Sequence, residues 1–210
     1  MAGKQLYIAG IDTDVGKTVV SAILCRAFDA DYWKPVQAGD LDNSDSIKLK
    51  KLVQPAKIHI HPEGYKLKDP MSPHAAAHRM GIEIDIDKIQ IPKTPKSLII
   101  EGAGGLMVPL NFSETNLDFI INKNLDVILV SKNYLGSINH TLLSLNLLKN
   151  NGITCKGVVF IGDVNIETED IIIKLSKVVH LGNIPFSNNL NSEFISAQAE
   201  IFKIRNPDLL

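Results

Sequence analysis

A chain of 210 residues with 45% hydrophobic content is long enough for one good core, and its net charge of −1 gives no reason to expect nucleic acid as a partner. No apolar run approaches the roughly 20 residues of a membrane span, and the first apolar run begins within a few residues of Met1, leaving no room for a signal peptide. Cys25 and Cys155 lie far apart among apolar neighbours, as expected of buried free thiols in a reducing cytoplasm and not of a disulfide.

The stretch from Gln5 to Val20 organises the rest. Leu6 to Ala9 is a short apolar run that suits a buried strand. Gly10, a polar loop, Gly16-Lys17-Thr18 and a helix-like run over Val19 to Phe28 follow. Strand, glycine loop and helix with Gly-Lys-Thr at the join is the context that cradles phosphate. Free amides of the loop and helix start point at the phosphate, and the helix dipole adds to the attraction. Gly16 permits close backbone approach, Lys17 can reach the terminal phosphates, and the Thr18 hydroxyl can hold magnesium. Five residues stand between Gly10 and Gly16, one more than the usual spacing, with Val15 just before Gly16.

Asp31 to Val36 reads as a short strand ending in a loop at Gln37-Ala38-Gly39. Asp40 to Ser46 is an acidic loop that can cap a helix starting near Ile47. Pro55 to Pro73 contains four prolines and reads as mostly irregular, and Ser72 to Arg79 as a helix start with an early proline. Asp85 to Ile91 suggests a short helix. Ser97 to Ile100 is an apolar strand that runs straight into Glu101-Gly102-Ala103-Gly104-Gly105. Leu117 to Asn122 reads as helix, Asp126 to Ser131 as a buried strand, and Ile138 to Asn150 as a helix ending at Asn151-Gly152. Strand over Ile153 to Ile161, helix over Glu169 to Lys177, strand over Val178 to Leu181 and helix over Ser192 to Ile204 complete the chain. Short apolar strands alternating with helices predict a single α/β domain over residues 1–210, with a mostly parallel central sheet and helices on both faces.

In such a sheet ligands sit at the C-terminal ends of strands. Lys17 and Thr18 follow the first strand, Lys34 ends the second, and Glu101 closes the strand over Leu98 to Ile100. Glu101 reads as a carboxylate that holds or orients magnesium in phosphoryl transfer, against the alternative of a strand-end acid facing water. Lys34 can neutralise a transferred phosphoryl group or stand as a surface lysine, and spacing does not separate the two. Spacing favours Asp45 as a helix N-cap over a metal ligand. The histidines form no metal signature: His74 and His78 share a helix face, but Glu does not follow His74.

Together these residues carry a specific likeness. Gly10 to Thr18, five-residue spacing included, resembles the phosphate loop of the dethiobiotin synthetases, a family of the P-loop NTPase superfamily. Lys34 to Gly39 resembles that family's substrate-lysine segment, Asn43-Ser44-Asp45 its acidic metal loop, and Pro70 to His74 its loop and helix start. Glu101 to Gly105 is similar to its second metal segment, Leu135 to His140 to the segment at its dimer interface, and Gly182 to Pro185 to its late nucleotide-base loop. The blocks run in the family's order from about Gly10 to Ser187.

The resemblance implies an ATP-dependent cyclo-ligase of biotin biosynthesis that joins diaminopelargonate and carbon dioxide into the cyclic urea of dethiobiotin, with magnesium as cofactor. It implies that Lys17 and Lys34 stabilise the phosphates and the carbamate anhydride, with Thr13 close to the reacting groups. Magnesium falls to Thr18, Asp45 and Glu101. Nucleotide contacts fall to Asp14, Val15, Gly16, Val19, Gly102, Ala103, Gly104, Pro185, Phe186 and Ser187. Ala38 stands at the substrate, and Gly136, Ser137, Ile138 and Asn139 bind its carboxylate from the neighbouring subunit, which implies a homodimer in the cytoplasm. Two departures stand out. Ala38 replaces the family's common Ser or Thr, removing one hydrogen bond worth about 0.5–1.5 kcal/mol net. Gly162 stands where the family tends to place an Asn whose amide reads adenine, so base recognition comes from elsewhere.

Overall fold

The computed structural model describes residues 3–210. The strands and helices in chain order are β1 (Gln5–Gly10), α1 (Lys17–Phe28), β2 (Asp31–Trp33), β3 (Val36–Ala38), α2 (Asp45–Val53), β4 (Tyr65–Leu67), α3 (Pro73–Arg79), β5 (Leu98–Gly105), α4 (Asn116–Asn122), β6 (Asp126–Lys132), α5 (Ser137–Asn150), β7 (Cys155–Ile161), α6 (Ile166–Ser176), β8 (His180–Ile184) and α7 (Ser192–Arg205). A six-stranded sheet has the order β2-β5-β1-β6-β7-β8, and every pairing in it is parallel.

Strand alternation divides the core. Tyr7, Leu98, Ile100, Val127, Leu129, Val158 and Phe160 face one side, packed against α3, α4, α5 and α6. Leu6, Ile8, Ile99, Ile128, Val130, Val159 and Ile161 face the other, against α1, α2 and α7. Burial on both faces explains why these strands read as continuous apolar runs. Each fully buried Leu, Ile, Val or Phe contributes about 1.5–3 kcal/mol, so this double layer dominates the gross stabilisation.

The alternation also aims the site. Ile99 belongs to the α1 side, so Glu101, two residues on, projects to that side as well. The β2–β5 register pairs Tyr32 with Ile99 and Trp33 with Ile100, which sets Lys34 beside Glu101 at the strand ends. Both expected free thiols are free, Cys25 buried and Cys155 half-buried.

Several expectations are corrected. The single strand over Asp31 to Val36 is two: Lys34-Pro35 interrupts it, because proline cannot donate to the ladder. The second piece, Val36–Ala38, takes in part of the expected Gln37 to Gly39 loop and pairs with β4, a strand within the segment expected to be irregular. Asp85 to Ile91 forms no helix. The Asp85 carboxylate accepts the amides of Asp87 and Lys88 and closes a turn, while Ile84, Ile86 and Ile89 are buried in the core. Finally, α6 starts at Ile166 because Asn165 caps it, and β8 starts at His180, two residues later than expected.

Candidate active site

The loop between β1 and α1 bends through Asp14 and Gly16, both at positive φ. Gly16, at φ +97°, is the N-cap of α1, a conformation that side chains rarely adopt. It offers no capping side chain, and the first turn of α1 carries no acid. The first-turn amides are therefore left for an external acceptor. Val15 is buried in the core below, Asp12 accepts the Thr13 amide at 2.7 Å, and Lys17 Nζ folds back to donate to the Asp12 carbonyl at 2.9 Å. Burial first, and then the charge of Lys34, lower the Lys17 ammonium to about 8.

Lys34 Nζ lies 2.5 Å from Asp45 Oδ2 and 3.3 Å from Glu101 Oε1. Burial works to lower its pKa, but the two carboxylates outweigh burial and hold it above its usual value, so the ammonium stays charged. Burial likewise pushes Asp45 upward, and Lys34 more than reverses this. Ser44, not Asp45, caps α2, its hydroxyl accepting the Ile47 amide at 3.4 Å. That frees Asp45, in the first turn, for Lys34. Glu101, 1% exposed, also accepts Thr18 Oγ1 at 2.8 Å and the Tyr32 hydroxyl at 3.1 Å. Two lysines and two carboxylates thus balance in a site where an unpaired charge would be costly.

These groups open into one cavity of about 730 Å³, walled by Thr13, Ala38 and Gly104 and closed by Pro70 to Pro73. Asp14, Gly16, Val19 and Ala103 also line it. Gly102 contributes a carbonyl 3.5 Å from Lys34 Nζ. A second cavity, about 520 Å³, holds His59 and His61 but neither lysine nor carboxylate of this cluster.

Two expected groups lie outside the main cavity. Gly136, Ser137, Ile138 and Asn139 form the start of α5, where the buried Ser137 hydroxyl has no hydrogen-bond partner. Beside them Leu135 is fully exposed. Pro185, Phe186 and Ser187 follow β8 on the surface. Gly162, at φ +107°, faces Phe186: a Cβ there would meet the ring at 2.7 Å. The ring takes the space a side chain at 162 would need. Below these loops the buried Glu169 Oε1 accepts Asn133 at 2.8 Å, the Asn165 amide at 3.1 Å and Asn183 at 3.1 Å.

Sequence reasoning missed Tyr32, Asn116 and Glu169. Asn116 ties the Ala103 and Gly105 carbonyls at 2.7 and 2.9 Å and accepts from Tyr7 at 3.1 Å, shaping the glycine segment. Tyr32 carried a signal, since strand alternation aims it as Lys34 is aimed, two residues on.

The donor chemistry fits magnesium. Thr18, Asp45 and Glu101 supply a hydroxyl and two carboxylates, hard oxygens of the kind magnesium takes alongside waters and substrate phosphates. Among the described residues there is no cluster of three His, Cys, Asp or Glu that could hold a metal. The arrangement can bind a triphosphate at α1 and hold a fixed ammonium where negative charge develops.

A family model described as AAA domain matches residues 4–193. The chain is 52% identical over 202 residues to the ATP-dependent dethiobiotin synthetase BioD of Christiangramia forsetii, covering 96% of this chain and 97% of that one. It is 48% identical over 197 residues to the enzyme of the same name from Cytophaga hutchinsonii, covering 93% and 95%. Among solved structures, a plasmid partition protein of Borrelia burgdorferi bound to AMPPNP superposes with a TM-score of 0.57 at 10% identity, covering 98% of this chain and all of that one. MinD of Pyrococcus horikoshii, complexed with Mg-ADP, gives 0.55 at 14% identity, covering 96% and 97%. The latter two likenesses show the fold alone.

Proposed function

This chain belongs to the ATP-dependent dethiobiotin synthetase family, and we propose that it closes the cyclic urea of dethiobiotin from diaminopelargonate and carbon dioxide at the expense of ATP. The observation that carries the reading is the meeting, in one cavity, of the phosphate loop with a buried ammonium, Lys34, held by Asp45 and Glu101.

One amine of the substrate adds to carbon dioxide, forming a carbon–nitrogen bond and releasing a proton to give a carbamate. A carbamate oxygen attacks the γ-phosphorus, the bond to the β-phosphate oxygen breaks, and ADP departs. The second amine attacks the carbamoyl carbon, loses its proton, and expels phosphate with that oxygen. Lys17 and the first-turn amides of α1 bind the phosphates. Lys34 sits where the transferred group and the anhydride carry charge. Thr18, Asp45 and Glu101 hold magnesium, which when bound neutralises phosphate charge. Thr13 and Ala38 border the reacting groups. Positioning is the main task, since well-oriented ring closure gains effective molarities of roughly 10⁵ M or more.

The chain acts as a single-domain, cytoplasmic homodimer. Gly136 to Asn139 of one subunit bind the substrate carboxylate in the partner's site, and Pro185 to Ser187 line the base. The absence of a side-chain cap at the start of α5 and the exposed Leu135 beside it support the first assignment. No helix among the described residues is long and apolar enough to cross a membrane.

Incubation with labelled bicarbonate, diaminopelargonate and magnesium ATP should place the label in dethiobiotin, in equal amount to the phosphate released. Phosphate released without labelled dethiobiotin would refute the reading.

A further inference from the structure

The two oxygens of Glu101 are served unequally. Oε1 accepts Thr18 Oγ1 at 2.8 Å and Lys34 Nζ at 3.3 Å. Oε2 accepts the Tyr32 hydroxyl alone, at 3.1 Å. Thr18 and Lys34 are the groups that a phosphoryl transfer also needs, one toward the cation and one toward the transferred phosphate. Tyr32 has no such second task.

Tyr32 is also fixed from every side. Its side chain is fully buried in the core beneath α1. Its amide donates to the His59 carbonyl at 3.0 Å, its carbonyl accepts the His61 amide at 2.9 Å, and β2 pairs it with Ile99. The ring therefore has one place to stand and its hydroxyl one acceptor to reach.

We propose that Tyr32 is the positioning residue of Glu101: by holding Oε2 it keeps Oε1 turned into the cavity beside Thr18 and Lys34, set for the magnesium–nucleotide complex. The inference rests on the reading of Glu101 as a magnesium ligand. Without the hydroxyl, the buried Oε2 has no partner, and the carboxylate gains by rotating both oxygens onto the Lys34 ammonium. A magnesium ligand is then turned away although no ligand has been removed, as when outer-shell partners of metal sites are deleted.

The test is the affinity for ADP, measured by calorimetry in magnesium and again in chelator, for wild type, Tyr32→Phe and Glu101→Gln. The ratio of the two affinities is the gain due to magnesium. Tyr32→Phe should cut that gain about tenfold while leaving the affinity in chelator unchanged. Glu101→Gln should cut it at least as far. A full gain in Tyr32→Phe with a lost gain in Glu101→Gln overturns the role of Tyr32 and spares that of Glu101. A full gain in both overturns the magnesium reading of Glu101 and the inference with it. An equal loss of affinity with and without magnesium marks Tyr32 as merely structural and also overturns it. Tyr32→Phe keeps the ring and its packing, so thermal denaturation run in parallel should show a folded protein.

Discussion

The edge where the strands end is built in two ways. Around β1, β2 and β5 it is a closed set of charges, in which Lys17, Lys34 and Glu101 are buried and Lys34 faces two carboxylates. Around β7 and β8 it has a glycine, an aromatic ring that is 58% exposed and an uncharged amide cluster hung on one carboxylate, Glu169. The first arrangement fixes charges before substrate arrives, which is what phosphoryl transfer demands. The second fixes only the shape of loops. A change in the first region should therefore strike turnover, and a change in the second should strike nucleotide affinity.

The largest expected effect is that of Lys34→Ala. It removes the ammonium from the reacting charge, and kcat should fall about 100- to 1,000-fold. ADP affinity should stay within about threefold, since Lys17 and α1 remain. Near-normal turnover would remove Lys34 from the chemistry and erase the contrast. Glu169→Ala comes next. It leaves Asn183 and the Asn165 amide without their acceptor, at about 1–3 kcal/mol for each group left unpaired, and Asn133 with the Asp163 carbonyl alone. The KM for ATP should rise about tenfold with kcat little changed. A collapse of kcat at normal KM would show that the far loops take part in the chemistry.

Asn139→Ala probes neither end. It should raise the KM for diaminopelargonate about three- to tenfold, the value of one hydrogen bond, and leave that for ATP alone. An unchanged diaminopelargonate KM would argue against a carboxylate site at α5. The smallest effect concerns acid. Burial, and then Arg205, hold the His180 imidazole below its usual 6.5, and it packs against Phe160 with Glu169 at 3.8 Å. The unfolded chain then binds the proton first, so stability is lost as pH falls below about 6.5. Melting curves at pH 7.5 and 5.5 should show a drop that His180→Gln reduces. An equal drop in the variant would assign the acid sensitivity elsewhere.

How legible each region was follows the same division. The phosphate loop could be read because strand, glycine, lysine and threonine are contiguous, and its chemistry lies in local backbone geometry. Lys34 and Glu101 could each be placed at a strand end, but their meeting depends on β2 lying beside β5, a pairing between strands 67 residues apart that no local pattern encodes. Asp45 was open between cap and ligand until Ser44 took the cap. Tyr32 read as one more aromatic residue of a strand. Glu169 read as the first residue of a helix that begins three residues earlier, and its partners come from the loop after β6, the cap of α6 and strand β8. The segment after Asp85 failed for a local reason, since an acid that closes a turn and one that opens a helix look alike in sequence.

The most direct test of the account is phosphate release with and without diaminopelargonate, in magnesium and bicarbonate, run side by side with ATP, GTP and CTP. The account predicts release that depends on diaminopelargonate, with dethiobiotin in equal amount. It predicts kcat values for the three nucleotides within about tenfold, because the charged end does the chemistry and Gly162 has no amide to read a base. Release that ignores diaminopelargonate, or none with any nucleotide, would contradict it.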